Sequence, residues 1–175
     1  IVLQLEIPLE TVYAAVELGR RLGVPVLLNP APAQPDLVLE RVKGCDYLVP
    51  NESELSLLTG MPVDTLDDIR KAAGVLLRAG VRHVIVTLGA RGALWLTEGR
   101  EHLIDGIEVD ALDTTGAGDA FIGCFSHTLV QTGDVLTALR RANRYSADSV
   151  TRRGTQTSYA TAESFALLLE DSDAG

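Results

Sequence analysis

Between Asp113 and Phe121 the chain reads Asp-Thr-Thr-Gly-Ala-Gly-Asp-Ala-Phe, residue types that together could handle a phosphate. Three small residues, Gly116, Ala117 and Gly118, stand between two carboxylates and directly ahead of the apolar run 120–125. That arrangement predicts a glycine-rich turn feeding a buried helix. The first turn of a helix has backbone N–H groups without intrahelical partners and carries the positive end of the dipole, so it attracts anions. Asp119 beside such a cradle suits a base that deprotonates a nucleophile attacking the phosphate. A competing reading is a tight strand-to-helix turn whose aspartate complements the dipole. Asp113-Thr114-Thr115, however, supplies more polar groups than a turn needs. A Walker A loop is excluded because no lysine follows the glycines, and a Rossmann fingerprint because Phe121 holds the third glycine's place.

Asn51-Glu52-Ser53-Glu54 is a second constellation. Asn51 as N-cap with Glu54 three residues on makes a capping box. The same two side chains also suit gripping the waters of a phosphate-bound Mg²⁺, which keeps much of its hydration. The two readings are compatible. A third, Thr87-Leu88-Gly89-Ala90-Arg91-Gly92, follows an apolar β-branched run, at the strand end where open α/β sheets bind ligands; an ordinary turn would look the same. His83, His102 and His127 have no metal-ligand spacing, and no Ser-His-Asp arrangement can be argued from order.

The elements that must position these residues alternate. Val2–Leu5, Val24–Leu28, Asp46–Val49 and His83–Thr87 read as buried strands. Ala93–Thr97 and His102–Ile104 form an expected hairpin through Glu98-Gly99-Arg100. Pro8 fits a first helical position, and the stripe Leu9, Val12, Val16, Leu22 ends at Gly23. Thr65 as N-cap, Asp68 and the terminator Gly80 mark another helix. Three more are expected at about 117–131, 134–151 and 161–169. The two prolines of Asn29-Pro30-Ala31-Pro32-Ala33 force an irregular segment. Continuous apolar strands alternating with helices predict an α/β fold, a mainly parallel sheet covered by helices, in a single domain over residues 1–175.

The 175 residues suffice for one core, and the net charge of −9 argues against a nucleic-acid or anionic-membrane surface. It leaves room for a local cationic spot for a nucleotide, for which Arg140-Arg141 to Arg152-Arg153 would serve. No stretch is long and apolar enough to span a membrane. Cys45 and Cys124 sit in apolar contexts and read as buried free thiols of a reducing cytoplasm, with no signal peptide ahead of them. Ile1 in place of Met, opening on strand-like residues, leads to the expectation that the chain is a portion of a longer protein.

Taken together, Asp113–Phe121 resembles the C-terminal signature of the PfkB carbohydrate kinases, the ribokinase-like family. Asn51–Glu54 looks like that family's Asn-x-x-Glu motif, and Thr87–Gly92 is similar to its nucleotide loop. Leu3-Gln4-Leu5-Glu6, Asn29–Ala33 and Val150–Gly154 most resemble the ribose-phosphorylating members. The likeness runs in order over the whole chain. It implies a three-layer ribokinase-like fold and ATP-dependent phosphorylation of D-ribose at its 5-hydroxyl. Asp119 would be the base, and the backbone N–H groups of Gly116, Ala117 and Gly118 the anion hole. ATP would contact Asn51, Thr87, Leu88, Gly89, Ala90, Arg91, Gly92, Gly118 and Asn143. Glu6 would touch the sugar, and Glu54 would hold Mg²⁺ through water. A potassium-type activator would use Asp113, Thr115 and Ser158, with backbone carbonyls at Ser149, Arg152 and Gly154. The complete protein would be a cytoplasmic homodimer. Family members are nearly twice as long; their N-terminal half carries the first strands, a small β-lid and a Gly-Gly motif for the sugar. Another sugar or nucleoside kinase of the family, such as a fructokinase, and a nucleotide-binding fragment without catalysis are the alternatives.

Overall fold

A computed structural model describes residues 1–173. The strands are β1 (Val2–Leu3), β2 (Leu27–Leu28), β3 (Tyr47–Leu48), β4 (His83–Thr87), β5 (Gly92–Thr97) and β6 (Arg100–Asp105). They form a six-stranded sheet in the order β1-β2-β3-β4-β5-β6. β1 to β4 run parallel and β5 turns back antiparallel to β4, so the sheet is mainly parallel, as expected. The helices are α1 (Leu9–Leu22), α2 (Leu39–Val42), α3 (Glu52–Thr59), α4 (Leu66–Arg78), α5 (Ala117–Thr132), α6 (Val135–Ser149) and α7 (Ala162–Asp173).

The chain divides into two compact units, the first of residues 1–89 with 93–103, the second of 90–92 with 104 onward. In the first, Val26, Leu28, Leu48, Val84, Val86, Leu94 and Leu96 are buried in one apolar cluster with residues of α1, α3 and α4. The alternation Val84/Val86 and Leu94/Leu96 follows from the two-residue period of strand side chains. Beside that core runs a row of rings. Tyr47 stacks on His83 at 4.7 Å and Trp95 on His102 at 5.2 Å, while the indole N–H of Trp95 donates to Nδ1 of His83 at 3.2 Å. In the second unit α5 and α6 pack on each other, with Phe121, Ile122 and Phe125 of α5 and Ala138, Leu139 and Ala142 of α6 buried.

Several expected boundaries move. The runs 2–5, 24–28 and 46–49 each contribute only two ladder residues, and Leu5 and Asp46 lie in bends. Their flanks include Pro25, Pro30 and Pro50, which have no N–H to give a neighbouring strand. Single bonds continue the pattern past the ladder, as from Val49 N to Leu28 O at 2.9 Å and Thr87 N to Pro50 O at 3.0 Å. The hairpin turn is two residues, Glu98-Gly99, with Arg100 already in β6. Pro8 is the residue before α1 rather than its first, and α2, too short to show a period, was not expected. The last three expected helices are found as α5, α6 and α7, with shifts of one to a few residues at their ends. Neither cysteine forms a disulfide; Cys45 is buried and its thiol is pushed up to about 12, mainly by burial, while Cys124 is half-buried. Among the described residues no helix is long and apolar enough to cross a membrane.

Candidate active site

In the first unit the carboxyl ends of successive parallel strands bring polar groups to one edge. Glu6 is exposed just beyond β1, Asn29 follows β2, and Asn51 follows β3, bridged in parallel register to Thr87 at the end of β4. Open α/β sheets bind ligands at this edge. Asn29 is buried, and its Oδ1 has no hydrogen-bond partner among the described residues. An orphaned acceptor there costs free energy unless a ligand or water meets it.

The start of α3 is closed by its own side chains. Asn51 Oδ1 accepts from Glu54 N at 2.8 Å, and Glu54 Oε2 accepts from Asn51 N at 2.8 Å, so the capping box read from sequence is present. Glu54 is only 8% exposed, and burial raises its pKa against the lowering effect of the Asn51 amide. With one oxygen committed to the cap, this carboxylate suits reaching a hydrated Mg²⁺ rather than binding a bare ion.

The expected nucleotide loop is shared out by its packing. Thr87, buried Leu88 and Gly89 belong to the first unit; Ala90, Arg91 and Gly92 belong to the second. There the backbone of 90–92 lies directly on 104–106. A Cβ on Gly106 would fall 1.8 Å from the carbonyl oxygen of Ala90, so no other residue fits. Nothing in its local pattern singled out Gly106 in the sequence. The second unit also holds a cleft of about 470 Å³ lined by Asp105, Thr137, Arg140, Arg141, Asn143 and Arg144 among others. Asn143 is 9% exposed and donates from Nδ2 to the Asp105 carbonyl at 2.8 Å. Of the basic stretch Arg140-Arg141 to Arg152-Arg153, Arg140, Arg141 and Arg144 line this cleft.

α5 opens differently from α3. Gly116 is its N-cap, at φ +80°, and no side chain caps the helix. Only glycine adopts that conformation without strain. Ala117 N–H donates back to Thr114 O at 3.2 Å, while the amide of Gly118, one position on, has no intrahelical acceptor available to it. Asp119 lies exposed in the same first turn. An uncapped helix start attracts anions, so this geometry is compatible both with a turn and with a phosphate cradle.

The expected cation residues are all in the second unit. Asp113 Oδ1 accepts from Thr115 Oγ1 at 2.6 Å and from Thr115 N at 3.0 Å, and Oδ2 accepts from Gly154 N at 2.9 Å. Those bonds, the Thr115 hydroxyl first, pull the carboxyl down to about 2. Arg152 pairs with Asp148 and its guanidinium donates twice to the carbonyl of Ser158, at 2.9 and 2.7 Å. Ser149 and Ser158 are both buried, their hydroxyls donating to Ser146 O and Thr155 O at 2.7 Å each. One fixed carboxylate among hydroxyl and carbonyl oxygens is a donor set that fits a monovalent cation. The Ser158 carbonyl is already used by Arg152, so its hydroxyl oxygen is the atom that remains for an ion. Among the described residues no three His, Cys, Asp or Glu side chains come together as a metal cluster.

The pfkB family carbohydrate kinase profile matches residues 2–162, and this chain belongs to that family. Its curated relatives include a deoxyribokinase of Salmonella typhi, 54% identical over 94% of this chain and 54% of that protein. A ribokinase of Schizosaccharomyces pombe is 41% identical over 90% of this chain and 51% of its own length. The solved structure of Arabidopsis thaliana ribokinase complexed with ribose and ATP superposes with a TM-score of 0.91 at 31% identity, over 97% of this chain and 55% of that one. The chain thus spans about half the length of the curated relatives it matches.

Proposed function

We propose that this chain carries the nucleotide-binding and base-bearing part of an ATP-dependent pentose kinase that phosphorylates the 5-hydroxyl. The observation that carries the reading is the open start of α5, an uncapped Gly116 turn with Asp119 in its first turn. In the proposed step the Asp119 carboxylate takes the proton of the sugar hydroxyl. The oxygen so freed forms a bond to the γ-phosphorus, and the bond from that phosphorus to the bridging β-γ oxygen breaks, releasing ADP. The amides of Gly116, Ala117 and Gly118 stabilise charge on the transferring phosphoryl, which is where phosphoryl transfer needs help most. Asn51, the loop 87–92 and Asn143 hold ATP, and Glu6 meets the sugar. Glu54 is the water-mediated Mg²⁺ contact. Mg²⁺, when bound, supplies charge neutralisation on the phosphates. Asp113, Thr115 and Ser158, with the carbonyls of Ser149, Arg152 and Gly154, hold K⁺ as an activator.

Two sugars fit the relatives, D-ribose and 2-deoxy-D-ribose. The 54% identity to a deoxyribokinase, against 41% to a ribokinase, favours acceptance of the deoxy sugar beside ribose. A cytoplasmic homodimer completes the reading, and light scattering checks its oligomeric part.

Sugar-dependent ADP release tests the activity, with ribose, deoxyribose and fructose, with and without K⁺, in wild type and Asp119→Asn. The expected result is pentose-dependent turnover, stimulated by K⁺, that falls roughly 10²–10⁴-fold in the mutant. ATP binding without turnover on any sugar would instead mark a nucleotide-binding module. Turnover confined to fructose would move the chain to the fructokinases.

A further inference from the structure

Tyr159 reaches the mouth of α5 from the segment that follows α6. Its hydroxyl donates to the carbonyl oxygen of Gly116 at 2.9 Å, across 43 residues of sequence. From α6, the hydroxyl of Ser146 donates to the next carbonyl, Ala117 O, also at 2.9 Å. A peptide unit is planar, so its carbonyl and the following N–H point in fixed, opposite directions. Gly116 O also accepts from Ala120 N at 2.9 Å, and the N–H of Ala117 turns back to Thr114 O at 3.2 Å, so this peptide closes the turn; holding Ala117 O aims the N–H of Gly118. The amide of Gly118 is one of the three assigned to the phosphoryl group.

The ring is seated for this task. Tyr159 lies 6.2 Å from the ring of Tyr145, which packs edge-on against Phe165 at 4.9 Å. Tyr145 in turn donates from its hydroxyl to Ala160 O at 2.9 Å, pinning the residue next to Tyr159. Burial, and then the charge of Asp119, raise the Tyr159 phenol, so it remains a donor when Asp119 is ionised. The fit is close enough that a Cβ on Gly116 would stand 2.6 Å from the Tyr159 hydroxyl.

We infer that Tyr159 is a positioning residue for phosphoryl transfer, its hydroxyl fixing the Gly116 turn from which the amide of Gly118 faces the transferring group. This inference rests on the kinase reading above. It also connects two parts of that site. Tyr159 follows directly on the loop 152–158, which Arg152 and Asp113 fold back on itself, so the expected cation loop and the anion hole share one tether.

Two variants of the enzyme decide it, assayed with ATP, Mg²⁺, K⁺ and pentose, alongside backbone amide exchange. Tyr159→Phe keeps the ring and removes the donor; Tyr159→Leu removes both. The expected result for Tyr159→Phe is a kcat lower by roughly fivefold, the weight of one neutral hydrogen bond, with the KM for ATP unchanged. Exchange of the Ala117 and Gly118 amides should rise by about the same factor, with α6 protection unchanged. Tyr159→Phe indistinguishable from wild type in both kcat and exchange, with only Tyr159→Leu impaired, would overturn the inference and leave the ring as mere packing. If the wild type itself has no sugar-dependent turnover, the kinase reading fails, and the exchange measurement alone decides whether the hydroxyl orders these amides.

Discussion

Helices α3 and α5 begin in opposite ways, and the contrast separates holding a fold together from holding a ligand. α3 begins on Asn51, whose side chain and that of Glu54 satisfy each other's backbone amides. α5 begins on a glycine that offers no side chain at all, and its stabilising bonds are made to carbonyls, by Tyr159 and Ser146. Bonds to carbonyls stiffen the turn while leaving the Gly118 amide without an intrahelical acceptor. A helix start can thus be rigid without being capped, and that combination is what a preorganised anion site requires.

Filling the glycine is the strongest way to break this contrast. Gly116→Ala places a Cβ at φ +80° and against Tyr159. The expected cost is about 1–3 kcal/mol of stability from the backbone conformation, visible as a lower Tm. Turnover should fall further, on the order of 10²–10³-fold, because the peptide must rotate away from its aim. Full activity in this variant would mean that the turn is not the anion hole.

A smaller effect sharpens the other side. Asn51→Ala should cost about 1 kcal/mol through the lost cap, and Thr65→Ala at the equivalent capping box of α4 about the same. Only Asn51→Ala should also raise the KM for ATP. Equal kinetics in the two variants would reduce Asn51–Glu54 to a structural cap.

The smallest effect concerns pH. Asp113 has its pKa depressed to about 2 by the Thr115 hydroxyl and the Gly154 and Thr115 amides. A depressed carboxylate contributes stability that is present above its unfolded value and is lost as pH falls through the folded one. Acid melts should therefore steepen between about pH 4 and about pH 2, and Asp113→Asn should flatten that part of the curve. An unchanged acid limb in Asp113→Asn would separate the carboxylate from the loop it binds.

What the sequence made legible was local. Caps are made by near neighbours in sequence, so the capping box of Asn51 with Glu54 and the N-cap Thr65 could be read directly. The Gly116 turn was legible because a cluster of small residues ahead of an apolar run has few other uses. The hydroxyl bonds that hold that turn come from 29 and 43 residues away, and no spacing rule reaches so far. The same holds for Gly106, whose small size is demanded by the backbone of Ala90. Each apolar run does contain a strand, shorter than expected in the first three. How much of each joins the ladder depends on which neighbour has an N–H to offer, and proline removes it.

The ring row of the first unit has a practical consequence. Trp95 is the sole tryptophan of the chain, buried in the first unit with its indole N–H on His83, whose pKa burial lowers. Intrinsic emission excited at the indole band therefore reports on the first unit alone, whereas the second unit, with Tyr145 and Tyr159, has only tyrosine light to give. A fluorescence melt of this chain is a melt of its sheet, and events at the mouth of α5 must be followed with another probe.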